Sequence, residues 1–160
     1  MSTLIIYASK YGATKQIAEL LAKKIGPGVT VRNIKDGGCD IGRFDRVIIG
    51  GSIYMNKIQN SISSFLKANE KELLQKKLGL FIGCYTPAGT EGYLEQFFPA
   101  QLLQHASVTG MLGGIMQYDK MNFVFRKIFQ SLKKIDGFNK EFKEPKIETE
   151  LISEFADKIK

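Results

Sequence analysis

The strongest constraint on this chain is an alternation of two kinds of segment. Short runs of aliphatic and β-branched residues, each ending in small or polar residues, are separated by amphipathic stretches of helical period. Thr3-Leu4-Ile5-Ile6-Tyr7, Val29-Thr30-Val31-Arg32-Asn33-Ile34, Val47-Ile48-Ile49-Gly50-Gly51, Leu78-Gly79-Leu80-Phe81-Ile82-Gly83 and a run from Ala106 to Gly113 read as five strands. Between them, Ile17, Leu20, Leu21 and Ile25 recur at helical spacing until Gly26-Pro27-Gly28 stops the helix. Ile58, Ile62, Phe65, Leu66 and Leu73 mark a second helix, Tyr93 to Leu103 a third, and Leu151, Ile152, Phe155 and Ile159 a closing one over Glu148 to Ile159. Strands that are apolar almost throughout need cover on both faces, which is the parallel α/β arrangement.

At 160 residues the chain fits a single domain spanning 1–160. One stretch exceeds what a minimal alternation requires. Between the fifth strand and the last helix, residues 115–147 form an insertion far longer than a connecting loop. Within it Met121, Val124, Phe125, Ile128, Phe129, Leu132 and Ile135 fall on one face of a helix, with Arg126, Lys127, Lys133 and Lys134 on or beside the other and Phe123 among them. That apolar stripe has two readings, packing on the sheet or contact with lipid.

Charge narrows the partners. The net charge of +7 favours an anionic partner: an acidic membrane surface, an anionic substrate or nucleic acid. The excess is concentrated between Lys120 and Lys146, where Lys120, Arg126, Lys127, Lys133, Lys134, Lys140, Lys143 and Lys146 face only Asp136, Glu141 and Glu144. No nucleic-acid recognition motif accompanies it, so no nucleic acid is expected. An apolar run long enough to span a bilayer is missing, and Met1 to Tyr7 lacks the basic and small-residue flanks of a signal peptide. With two cysteines, Cys39 and Cys84, in unlike contexts, a disulfide framework is not expected and a cytoplasmic location is.

In an open α/β sheet, ligands bind beyond the carboxyl ends of the strands. After the first strand comes Ser9-Lys10-Tyr11-Gly12-Ala13-Thr14, running directly into a helix. Free N–H groups at a helix start, with Ser and Thr hydroxyls, can hold an anion, and Gly12 permits an unusual backbone angle. The same residues are read equally well as a helix cap. Rival phosphate motifs fail: there is no G-x-x-x-x-G-K-[ST], no G-x-G-x-x-G, and Gly50-Gly51-Ser52 has no aspartate for a phospho-receiver. His105, the only histidine, reads as a turn or partly packed residue rather than a catalytic base, and no cysteine–histidine cluster has zinc spacing. The loops Gly51-Ser52-Ile53-Tyr54-Met55-Asn56-Lys57 and Gly83-Cys84-Tyr85-Thr86-Pro87-Ala88-Gly89-Thr90 add small residues and aromatics at the same edge. Together the three loops suit a phosphate carrying a flat ring, with Ile53, Tyr54 or Tyr85 against the ring faces. Cys84 reads as a small packing residue.

At these positions the sequence resembles the flavodoxin family. Tyr7-Ala8-Ser9-Lys10-Tyr11-Gly12-Ala13-Thr14 is similar to that family's phosphate loop, and Gly92-Tyr93 with Phe97 to a Gly-Tyr-x-x-x-Phe stretch in it. The resemblance spans about residues 1–115 and the last helix. It implies a flavodoxin-like three-layer sandwich, a five-stranded parallel sheet in order 2-1-3-4-5, and FMN as cofactor. It also implies phosphate contacts from Ser9, Lys10, Tyr11, Gly12, Ala13 and Thr14. Ring contacts would come from Gly51, Ser52, Ile53, Tyr54, Gly83, Cys84, Tyr85 and Gly89. A narrower similarity, through Asp45 to Ile53, Tyr118-Asp119 and Met121 to Lys134, is to menaquinone-dependent protoporphyrinogen oxidases of flavodoxin type. Against that, Gly83 to Phe98 looks more like an ordinary flavodoxin. The narrower resemblance implies an FMN-linked oxidase with a quinone or redox protein as partner, and an anionic membrane surface met through residues 120–134. The alternative is a soluble electron-transfer flavodoxin. The sequence offers no convincing acid–base residue.

Overall fold

The computed structural model describes residues 1–84, 92–115, 119, 122–141 and 146–160. The order of elements is β1 (Thr3–Ala8), α1 (Ala13–Ile25), β2 (Val29–Asn33), β3 (Arg46–Tyr54), β4 (Lys57–Ile58), α2 (Asn60–Leu73), β5 (Lys77–Gly83), α3 (Ala100–His105), β6 (Val108–Met111), α4 (Phe123–Leu132), α5 (Asp136–Glu141) and α6 (Thr149–Ile159). Five strands pair in parallel in the order β2-β1-β3-β5-β6. This is the expected 2-1-3-4-5 order with one correction to the numbering. A sixth strand, the two-residue β4, turns back antiparallel on the end of β3.

Side-chain alternation along the strands divides the core. Leu4, Ile6, Val47, Ile49, Leu78 and Leu80 face α2 and α3 with Ile62, Leu66 and Leu102. Ile5, Tyr7, Ile48 and Phe81 face α1 and α6 with Ile17, Leu21, Ile152 and Phe155. All six residues of β1 are buried, as a central strand covered on both faces requires, whereas β2 alternates half-buried and exposed residues at the sheet edge. Gly50 is where the sheet admits Phe81: a Cβ at that position would lie 1.9 Å from the ring. Phe81 in turn meets Phe155 of α6 edge to face at 6.1 Å. Arg46 is buried at the start of β3, and its Nη1 donates to the carbonyls of Ile159 and Lys160, both at 3.2 Å. A buried cation thereby meets carbonyls left without partners at the end of a helix.

Three expectations are corrected. The third helix is not continuous from Tyr93 to Leu103. A single 3-10 turn covers Leu94–Gln96, and α3 begins only at Ala100. Pro99 lies between them, and a proline restrains the residue before it to extended backbone and cannot donate inside a helix. His105 is the last residue of helix α3 and is exposed, with its Nε2 2.9 Å from the Lys76 carbonyl, so it lies in a helix and not in the turn expected. The third correction concerns the inserted stripe. Its helix α4 ends at Leu132, leaving Ile135 beyond it, while Met121, Tyr118 and Lys120 lie outside the described residues. The stripe does not pack on the sheet as a whole: within α4 only Phe129 is buried, in contact with Phe138 of α5 at 5.8 Å between ring centroids.

The excursion carrying α4 and α5 leaves and re-enters the sheet at one point. Gly113 and Ile147 form an antiparallel bridge, Gly114 N–H donates to the Lys146 carbonyl at 3.2 Å, and Glu148 N–H donates to the Leu112 carbonyl at 3.1 Å. The ends of the insertion are thus fastened together at its neck.

Candidate functional site

The carboxyl ends of β1, β3 and β5 open onto a cleft of about 280 Å³. Its first wall is the turn from β1 into α1. Gly12 caps that helix at φ 97°, a left-handed conformation in which an L side chain is strained by roughly 1–2 kcal/mol. The Ser9 hydroxyl accepts from Gly12 N–H at 2.8 Å and closes the turn. Ser9 is therefore partly occupied with local structure, as the capping reading anticipated. The other donors are not: among the described residues, the N–H groups of Lys10, Tyr11, Ala13, Thr14 and Lys15 meet no acceptor, and Gln16 is the first to find one, the Gly12 carbonyl at 3.1 Å. Below them, Thr14 is fully buried, and its hydroxyl has no hydrogen-bond partner among the described residues. Burying a hydroxyl without a partner is costly, so this oxygen marks a position built to meet a polar group. The first turn of α1 contains no acidic residue, so the helix end presents positive potential without internal compensation.

The second wall is the hairpin β3–β4. Ile53 pairs with Ile58 and Tyr54 with Lys57, leaving Met55 and Asn56 as a two-residue turn with φ of 49° and 57°. Two consecutive left-handed residues give the tight turn whose twist matches the flanking strands. The hairpin is tied to α2 through Gln59, whose Oε1 accepts from Ser52 N–H at 3.0 Å and whose Nε2 donates to the Ser52 hydroxyl. Lys10 Nζ sits 3.3 Å from the Tyr54 ring centroid, and Tyr11 meets the same ring edge-on at 6.2 Å. On its outer side Tyr54 touches Phe125 of α4, 5.9 Å between centroids. The insertion therefore stands at the rim of the cleft.

The floor and far wall come from Gly83, Cys84, Tyr93, Gly114 and Ile115. Burial raises the Tyr93 phenol above its ordinary pKa, and the neighbouring Cys84 thiol, by its charge and a hydrogen bond, pushes in the same direction. Tyr93 is thus a neutral O–H near pH 7, its ring packed edge-to-face on Phe97 at 4.9 Å.

Of the residues expected from sequence, Ser9, Lys10, Tyr11, Ala13, Ser52, Ile53, Tyr54, Gly83 and Cys84 line this cleft together. Gly12 and Thr14 stand just behind the first wall, and Gly51 is buried in β3 beneath Ile58. Tyr85 and Gly89 lie outside the described residues. Sequence reasoning did not include Met55, Asn56, Tyr93, Gly114 and Ile115 among the site residues, although all five line the cleft. Asn56 carried a signal, since asparagine tolerates left-handed turns; Met55 carried none.

The donor set fits a phosphate monoester, and Tyr54 and Tyr93 line the same cleft beside it. The chain belongs to the flavodoxin-domain family, whose model matches residues 4–143. A protoporphyrinogen IX dehydrogenase (quinone) of Leishmania major is 25% identical over 146 residues, covering 84% of this chain but only 63% of that protein's length. Among solved structures, a rubredoxin:oxygen oxidoreductase from Desulfovibrio gigas aligns with a TM-score of 0.59 at 15% identity, over 99% of this chain and 35% of its own. Flavodoxin 1 of Bacillus cereus aligns with a TM-score of 0.53 at 18% identity, covering 89% of this chain and all of the flavodoxin. A flavoprotein of Lactobacillus acidophilus in complex with FMN aligns with a TM-score of 0.50 at 12% identity, over 69% of this chain and 92% of its own. These structures share the fold.

Proposed function

We propose that the cleft holds FMN and that the chain is an FMN-dependent oxidoreductase, delivering electrons to a quinone and drawing them from an anionic, macrocyclic substrate of the protoporphyrinogen type. The observation that carries the reading is the turn from β1 into α1: among the described residues, five N–H groups have no acceptor and the buried Thr14 hydroxyl has no partner, in a turn whose Ser9, Lys10, Tyr11 and Ala13 line the cleft. These donors, with Ser9, would hold the phosphate. Ser52, Ile53, Tyr54, Gly83, Cys84, Tyr85 and Gly89 would surround the ring, joined by Tyr93. When bound, FMN supplies a centre that takes up two electrons and can release them singly.

The residues of the chain contribute position and electrostatics. Lys10 brings a cation to the edge of the ring site, where negative charge on a reduced cofactor or an anionic substrate is stabilised. Tyr93, held neutral, offers a proton-bearing donor at the far wall. Ile53 and Ile115 give the cleft an apolar wall. The quinone and porphyrinogen reading is supported by the name of the Leishmania relative, by the net charge of +7, and by the position of α4 at the cleft rim. The basic helix also suits an anionic membrane surface. A soluble electron carrier remains the second reading, favoured by the alignment over the whole length of the B. cereus flavodoxin.

Two experiments separate these. Purified protein incubated with FMN should acquire the two-band visible spectrum of a bound flavin and quench its fluorescence; protein that cannot retain FMN sinks both readings. The reconstituted protein should then oxidise protoporphyrinogen IX with a menaquinone analogue as acceptor. Without turnover, but with reversible reduction of bound FMN, the carrier reading stands in its place.

A further inference from the structure

A second cavity lies at the β2 edge of the sheet, on the face covered by α2. Its volume is about 480 Å³, and among the described residues it shares no lining residue with the cleft at Ser9, Tyr54 and Tyr93. Strand register explains which side chains reach it. Ile6 of β1 pairs with Arg32 of β2, and paired residues of parallel strands project to the same face. Ile6 belongs to the core under α2, so Arg32 is carried to that face as well. Phe65 and Asn69, one helical turn apart on α2, line the cavity from the helix. The chain leaving β2 supplies the rest. Gly37 and Gly38, at φ 64° and 62°, bring it round to Cys39, which packs against the core as Ile34 and Phe65 do.

Some polar groups of this cavity are engaged and others are free. Asp40 uses both carboxylate oxygens, accepting from Gly42 N–H at 3.0 Å and from Arg43 Nε at 3.1 Å. Arg32, by contrast, has no carboxylate within ion-pair distance among the described residues. Cys39 does not neutralise it: burial raises the thiol above its ordinary pKa, outweighing the opposing charge of Arg32, so it stays an S–H near pH 7. Asn33 Oδ1 accepts from Lys35 N–H, and Asn69 Nδ2 donates to the Phe65 carbonyl. The Asn33 amide nitrogen and the Asn69 amide oxygen are left without partners among the described residues. An uncompensated guanidinium and two amides therefore stand around an apolar wall of Ile6, Ile34 and Phe65. That is the composition of a small-molecule site. A guanidinium matches a carboxylate in both plane and charge. Asp40 acts on the Cys39 thiol from nearby, so a second negative charge on a ligand would meet repulsion. The cavity thus favours a monoanion over a phosphate dianion.

We propose that this cavity is a second binding site, which takes a small monocarboxylate with an apolar or aromatic body. Arg32 and Asn33 receive the carboxylate, and Ile6, Ile34 and Phe65 receive the body. The site does not depend on the function proposed above.

The test follows amide NMR signals of the isotope-labelled full chain, with and without FMN, against benzoate, phenylacetate and indoleacetate. Each acid is paired with its neutral primary amide. At least one acid should shift the signals of Arg32, Asn33, Cys39 and Asn69 to saturation, leaving Ala13 and Ser52 of the cleft unmoved. Its amide should bind about tenfold more weakly. Arg32→Gln should weaken the acid about tenfold and the amide not at all. Because Arg32 is exposed, the urea midpoint of that variant should not change. The bound acid should also slow alkylation of Cys39 by iodoacetamide, with Cys84 as the internal control. Absence of saturable shifts at these residues with all three acids overturns the proposal. So does binding that Arg32→Gln leaves unchanged, because the cavity would then be an apolar hollow without carboxylate recognition. Shifts confined to Ala13 and Ser52 overturn it too, since the acids would be occupying the cleft. The paired titrations keep the two sites distinct: protein that fails to retain FMN is still expected to bind the acid.

Discussion

Replacing Thr14 by valine removes one oxygen and keeps the shape, and the structure fixes the direction of two separate effects. The Thr14 hydroxyl is fully buried and unpartnered among the described residues. Its removal relieves a desolvation cost, so the apoprotein should gain about 1 kcal/mol in stability. With FMN bound, the same hydroxyl would donate to a charged phosphate oxygen, a bond worth about 1.5–3 kcal/mol. The dissociation constant should therefore rise by about 10- to 150-fold. Urea unfolding of the apoprotein gives the first quantity and fluorescence titration of FMN the second. Opposite signs are the signature: a damaged fold would lower both stability and affinity. Unchanged FMN affinity would refute the phosphate assignment, and a less stable apoprotein would show that the hydroxyl has a partner within the protein.

Gly12→Ala should cost the apoprotein about 1–2 kcal/mol through the left-handed φ of 97°, read as a lower urea midpoint with an unchanged slope. Arg46→Met should keep the volume while abandoning the Ile159 and Lys160 carbonyls, destabilising by about 1–3 kcal/mol and speeding amide exchange at the end of α6. Asp45 is held below its ordinary pKa of 3.8, first by the backbone N–H of Ser2 and then by the Ser2 hydroxyl. A carboxylate depressed on folding contributes stability above its unfolded pKa and loses it as pH falls through the folded value. Asp45→Asn should accordingly flatten the acid side of the stability profile below about pH 4, and leave its slope near neutrality unchanged.

The parallel sheet was legible because β1, β3 and β5 are nearly continuous apolar runs, a pattern that only two-sided cover explains. β4 was not, since Lys57–Ile58 is too short to carry a period and Met55 gives no hint of a left-handed turn. The break before α3 was present in the sequence as Pro99, but Tyr93, Leu94, Phe97 and Phe98 imitate a helical period while packing as a loop around a 3-10 turn. At the site, three loops could be gathered from strand order alone. That Ser9 closes its own turn while Thr14 has no partner among the described residues depends on hydroxyl orientation, which no spacing encodes. For α4, periodicity located the apolar stripe; what covers a stripe depends on tertiary contacts, and here it is mostly left open.

The fastened neck at Gly113 and Ile147 gives the insertion an unusual freedom to vary. Because backbone bonds already hold its two ends together, the entropy of closing that loop scarcely depends on what lies inside it, rising by only about 0.6 kcal/mol for each doubling of length. Segments of other lengths and chemistries can be exchanged at this point while the parallel sheet keeps its register. The neck is a socket: the same scaffold can be fitted with a new attachment to suit a different partner, without altering the turn at Ser9 to Thr14.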